Sequence, residues 1–190
     1  SLAVLPVEAL ASRTEPPEFY KALVRQIRRH DEIELQELLA HLEAVGYTRH
    51  DPVEMAGQYS VRGGIVDVCS PEARRPVRME LVGDEVESLR EFDPETQRST
   101  GTVERTALLP LTEFPLRQDV LDEIHARLGR DSEVHVSSGI HVSGEPFPGW
   151  EFLLPVVQPL EHTLLDLSPQ AILYLEEPAE LEREMERLWV

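Results

Sequence analysis

The spacing of apolar residues changes twice along the chain, from helical to alternating near Tyr47 and back again near Phe114. At the N-terminus, Leu2-Ala3-Val4-Leu5 is a short apolar run ended by Pro6, the pattern of a buried strand. Pro16 and Pro17 stand where a helix can begin, and Phe19, Leu23 and Ile27 follow at helical spacing. Asp31 predicts the N-cap of a second helix. Its apolar stripe is Leu35, Leu38, Leu39, Leu42 and Val45, and Gly46 supplies the stop. A stripe of this width predicts a helix laid over a sheet.

Between Tyr47 and Leu111 the period is two, with strands expected around 58–68, 76–82, 85–92 and 102–109. Val77, Met79 and Leu81 fall on one side of the second of these, Arg78 and Glu80 on the other. Gly83-Asp84 predicts a tight hairpin turn, and Asp93-Pro94-Glu95 a further turn. Gly63-Gly64 is expected to mark a bulge or a close backbone approach inside a strand. Helical spacing returns at Val120, Ile124 and Leu128, closed by Gly129. Beyond a Gly- and Pro-rich passage (139–149), Ala171-Ile172-Leu173-Tyr174-Leu175 has the pattern of a buried strand. Pro178 then opens an acidic helix carrying Leu181, Met185 and Leu188.

The fold class this predicts is α/β with an α+β insert. An α/β layer is built from both chain ends (1–30 and 113–190), and a module of mixed sheet plus helix is inserted at 31–112. The last helix runs to Trp189-Val190 with no stop signal, so the expectation is a piece of a longer protein.

Charge narrows the function classes. The net charge is −18, with residues 113–190 carrying five basic and sixteen acidic side chains and residues 47–112 eight and twelve. Binding to a phosphate backbone draws on clustered Lys and Arg, so this balance opposes it. The arginine-rich middle suits a protein partner of mixed charge. No apolar run reaches the roughly 18 residues of a membrane span, and the expected setting is cytoplasmic. Cys69 is the only cysteine, which leaves no internal disulfide and no cysteine-based metal cluster.

Catalytic patterns are missing from the sequence. Lys21, the sole lysine, lies between Tyr20 and Ala22, so no GxxxxGK[ST] phosphate loop can be built. His125, His135, His141 and His162 fit no paired-ligand spacing, and Cys69 has no nucleophile motif around it. The chain is expected to be a non-enzyme without cofactor or metal.

Gly57-Gln58-Tyr59-Ser60-Val61-Arg62-Gly63-Gly64-Ile65-Val66-Asp67-Val68, then Arg78-Met79-Glu80-Leu81 and Gly83 to Asp93, carry a further signal. This ordered run resembles a module shared by the excinuclease subunit UvrB and the bacterial transcription-repair coupling factors. Thr96-Gln97-Arg98-Ser99, Leu108-Leu109-Pro110, Glu113-Phe114-Pro115 and Gly149 to Pro155 resemble the coupling factors rather than UvrB. The resemblance implies a UvrB-like region whose inserted module docks UvrA, the damage-recognition subunit of nucleotide excision repair. RNA polymerase and DNA would be met by other parts of the parent protein, an ATP-dependent translocase whose missing regions could mask the docking face. The fragment itself is expected to be a monomer.

By the same resemblance the UvrA-binding positions are Arg62, Arg78, Glu80, Val82 and Ser60. Val82 falls where relatives often carry an aromatic residue, and Ser60 where UvrB has a further arginine. Arginine suits such a face because its planar guanidinium pairs bidentately with carboxylates. Without the resemblance, Arg78 and Glu80 would be ordinary solvated strand charges. The expectation is that Arg62, Arg78 and Glu80 share one exposed side of a sheet, and that Arg78→Ala weakens docking while barely moving the melting temperature. The alternative functions are a UvrB-type DNA-contacting fragment, disfavoured by the charge, and a hydrolase, disfavoured by the missing motifs.

Overall fold

A computed structural model describes residues 3–130 and 149–188. A short helix α1 (Val7–Ala11) and a two-residue strand β1 (Arg13–Thr14) precede α2 (Pro17–Leu23), whose first residue is a proline, as the fixed φ of that residue favours. The helical spacing of Phe19, Leu23 and Ile27 does not carry through. Helix α2 ends at Leu23, Val24 is extended, and Ile27 lies in strand β2 (Arg25–Arg28). Strand pairing with a segment far along the chain overrides local periodicity here.

Helix α3 (Leu35–Ala44) buries Leu38 and Leu42, with Leu35 and Leu39 packed beside them. Its N-cap is Glu34 rather than Asp31, whose carboxylate instead accepts a bond from the Arg28 N–H at 2.7 Å. The helix ends as its sequence predicts. Gly46 adopts φ 97°, its N–H reaches the Glu43 carbonyl at 3.1 Å, and the Tyr47 N–H reaches the Leu42 carbonyl at 2.9 Å. These two bonds make a Schellman cap, which needs the left-handed conformation glycine adopts without steric cost.

The sheet that α3 covers contains β3 (Thr48–Arg49), β4 (Gln58–Arg62), β5 (Ile65–Val68), β6 (Val77–Val82), β7 (Glu85–Phe92) and β8 (Ser99–Thr102). They lie in sequence order, β3 parallel to β4 and every later pair antiparallel, which makes this a mixed six-stranded sheet in an α+β fold. The run expected as one strand at 58–68 is therefore a hairpin, turning at Gly63-Gly64 with Gly63 at φ 60°. The close approach expected there is also present. A side chain at Gly64 would place Cβ 2.5 Å from the Leu81 carbonyl oxygen. Gly83-Asp84 turns β6 into β7 as expected, with Gly83 at φ 64°. The run expected at 102–109 is divided between β8 and β9 (Arg105–Leu108), and β9 pairs antiparallel with β2.

On its inner face the sheet presents Tyr59, Val66, Val68, Val77, Met79, Leu81, Val86 and Leu89 to Leu38, Leu42 and Val45, with Ile27 and Leu108 from the β2–β9 pair in the same core. Tyr47 seals one end, its hydroxyl donating to the Leu109 carbonyl at 2.8 Å.

The remaining elements are α4 (Gln118–Arg130), a 3-10 turn (Trp150–Leu153), α5 (Leu154–Val157), β10 (His162–Thr163), α6 (Leu164–Leu167) and α7 (Pro178–Leu188). Strand β10 pairs with β1, linking the two ends of the chain. Val120, Ile124 and Leu154 form a separate small core.

The strands expected at 2–5 and 171–175 are not strands among the described residues. Residues 3–5 and 171–175 are exposed, Ile172 at 97% and Tyr174 at 85%, and Ala3 to Leu5 and Ile172 to Leu175 line a cavity of about 600 Å³ with α1 and α7. The Gly- and Pro-rich passage before Gly149, His135, His141 and Trp189-Val190 lie outside the described residues. No described helix is long and apolar enough to cross a membrane.

Candidate protein-docking face

Side chains alternate across a strand, so the residues between the inward apolar positions of β4 to β7 all point to the outer face. Cross-strand register arranges them in two rows. Ser60 stands opposite Asp67, Asp67 opposite Arg78, and Arg78 opposite Arg90. In the next row Arg62 is opposite Ile65, Ile65 opposite Glu80, and Glu80 opposite Ser88. The face thus brings Arg62 on β4 and Arg78 and Glu80 on β6 into two adjacent rows, with β5 between the two strands.

At its centre is Asp67, a residue that the sequence reading passed over. Its side chain is 1% exposed. One carboxylate oxygen accepts from Arg78 Nε at 2.7 Å, and the other from Arg78 Nη2 at 2.8 Å and Arg62 Nη2 at 2.7 Å. A buried carboxylate is tolerated only when paired and hydrogen-bonded, and both arginines satisfy this one. The Arg78 pair is bidentate, the stronger geometry, and it pushes the Arg78 guanidinium still further above its ordinary basicity. A signal for Asp67 exists in the sequence. It is the one charge in the apolar strand Ile65-Val66-Asp67-Val68, and a carboxylate there must find a cationic partner.

Arg78 is more confined than a solvated strand charge. Its guanidinium carbon lies 4.7 Å from the centroid of the Phe92 ring, within cation–π range. Phe92, Val53 and Cys69 form a small apolar cluster on this outer face, and burial there pushes the Cys69 thiol up. Arg78 Nη1 also approaches the Gln97 carbonyl at 3.4 Å, while the Gln97 side chain donates to the Val53 and Pro94 carbonyls. The arginine is therefore built into the face.

Arg62 is more open. Its side chain is 46% exposed, and beyond Asp67 it meets Asp51 through Nη1 at 3.4 Å. Glu80 pairs with Ser88 Oγ at 3.1 Å and Arg90 Nη2 at 3.4 Å rather than with Arg78. Val82 stands at the hairpin end of β6 and is 65% exposed. Ser60 is different. At 2% exposure it is buried opposite Asp67 and offers a partner no surface. The expected positions therefore divide into three open ones (Arg62, Glu80, Val82), one half-buried (Arg78) and one covered (Ser60).

The face lies inside a recognisable unit. Residues 26–114 match the family model of the UvrB interaction domain. Its limits enclose the whole six-stranded sheet and α3, and reach from β2 past β9.

The chain as a whole is a homologue of the transcription-repair-coupling factors. It is 32% identical to that of Myxococcus xanthus over 98% of this chain and 17% of the relative. Identity is 29% to that of Haemophilus influenzae, over 91% and 16%, and 36% to that of Bacillus subtilis, over 62% and 10%. The chain thus spans about a sixth of the length of the first two relatives.

Proposed function

We propose that this chain is a non-catalytic docking region that brings UvrA to a transcription-repair coupling factor in transcription-coupled nucleotide excision repair. The observation that carries this reading is the outer face of β4 to β7. Two arginines are locked by a buried aspartate into fixed positions beside an exposed carboxylate and an exposed valine, within the segment that matches the UvrB interaction domain. A rigid array of guanidinium and carboxylate groups fits a protein surface of complementary charge. Pre-ordered side chains also lower the entropy lost on association.

A DNA-contacting role finds less support, because a chain of net charge −18 repels a phosphate backbone. In this proposal, contact with DNA and RNA polymerase belongs to other parts of a longer protein.

The test is capture of purified UvrA by this chain at low and high salt, with Arg62→Ala in parallel. Specific retention that falls tenfold or more for Arg62→Ala supports the reading. Equal retention by both chains overturns it.

A further inference from the structure

Arg62 is held by two carboxylates of opposite character. Asp67 is buried, at 2.7 Å, and shared with Arg78. Asp51 is 54% exposed, sits on the loop after β3, and reaches Nη1 only at 3.4 Å, beyond the usual hydrogen-bond range. A contact of this kind between exposed groups is weak and readily exchanged, worth roughly 0 to 1 kcal/mol. The first carboxylate sets where the guanidinium lies. The second occupies the edge that faces outward.

We propose that the Nη1 edge of Arg62 is a carboxylate subsite of the docking face, and that Asp51 fills it until a carboxylate of the protein partner takes its place. This rests on the docking reading above and adds to it the chemistry of the group recognised and a residue that competes for the same site. Asp51 acts as an internal stand-in. A partner must displace it to reach Arg62, whereas Asp67 stays in place and keeps the guanidinium aimed. The two aspartates therefore act with opposite sign on docking, although both pair with the same arginine. A carboxylate brought by a partner can exclude water from this edge, which Asp51, on an open loop, does not. That difference favours exchange.

The experiment is titration of purified UvrA against the full 190-residue chain, its Asp51→Ala, Asp51→Asn and Arg62→Ala variants, and the double variant. Glu54→Gln serves as a control for loss of a nearby exposed negative charge. Asp51→Ala is expected to bind about two- to fivefold tighter, the range set by removing a weak exposed pair. Asp51→Asn, which keeps an acceptor but no charge, should gain less. The gain should vanish in the Arg62→Ala background and be absent from Glu54→Gln. Unchanged or weaker binding by Asp51→Ala, a gain that survives without Arg62, or an equal gain from Glu54→Gln would each overturn the subsite. Unchanged binding by Arg62→Ala alone would instead remove the docking reading on which it rests.

Discussion

Arg78 and Asp67 face each other across β6 and β5 as a bidentate pair, with bonds of 2.7 and 2.8 Å, and the carboxylate is buried. This pairing revises the expectation that Arg78→Ala leaves stability untouched. Truncation removes two of the three bonds to a buried carboxylate and the cation above Phe92. Breaking a buried pair costs about 3 to 5 kcal/mol, and because Arg62 remains, the lower end is expected. At about 2 to 4 °C per kcal/mol for a chain of this size, thermal unfolding should show a drop of several degrees. Arg62→Ala should move the melting temperature by less than about 3 °C, because its side chain is half exposed. Similar melting temperatures for the two variants would contradict this division.

Glu80 and Val82 test the face without disturbing the core. Glu80 is about half exposed, and Val82 packs against little of the protein. Glu80→Arg and Val82→Asp should each weaken UvrA capture severalfold while leaving the unfolding free energy, measured in urea, within about 0.5 kcal/mol of the parent, the usual range for surface changes. A stability loss larger than the binding loss would show that these side chains support the sheet.

The two turn glycines should respond oppositely in kind. At Gly64 a methyl group would lie 2.5 Å from the Leu81 carbonyl oxygen, and the Leu81 N–H is bonded to the Gly64 carbonyl at 2.7 Å, so neither backbone can yield freely. Gly64→Ala should cost about 1 to 3 kcal/mol, as overpacking does. Gly63 has open space around it, and its φ of 60° is the only obstacle. Gly63→Asn should therefore be nearly neutral, since asparagine tolerates that conformation. Urea unfolding of both variants checks the contrast.

Alkaline stability should report on Tyr59. Burial, then the bond to Glu43 at 2.6 Å, pushes its phenol up to about 12 from an ordinary 10. A folded value above the unfolded one favours the neutral phenol. This contribution is fully present below about pH 10 and is lost as pH rises through about 12. Unfolding midpoints measured between pH 9 and 12 should fall for the parent and fall less for Tyr59→Phe. Parallel curves would exclude Tyr59 as the source.

Local signals were legible and distant pairings were not. Gly46 and Gly83 announced a helix end and a hairpin because the conformation they supply is decided within a few residues. The two faces of Val77–Val82 followed from alternation alone. Ile27 misled because helical spacing cannot register a strand partner at Thr106. Ala171 to Leu175 misled for the reverse reason: the apolar pattern of a strand does not reveal whether a neighbour is present to pair with it. Arg62 and Arg78 were marked out, but Asp67, Asp51 and Arg90 were not, because their partners are set by cross-strand register and loop position. That information lies in the assembled sheet and in no short window of sequence.

The antiparallel pairing of β2 with β9 sets Arg25 beside Leu108, so the polypeptide comes into the sheet module and goes out of it about one strand spacing apart, roughly 4.8 Å. A host fold therefore encounters everything between them as a loop with its ends already closed, and lengthening such a loop costs little entropy. A unit joined in this manner can be moved between unrelated carriers by two neighbouring splices, each carrier keeping its own connectivity. Kinship confined to one segment of otherwise different proteins is what such a junction permits.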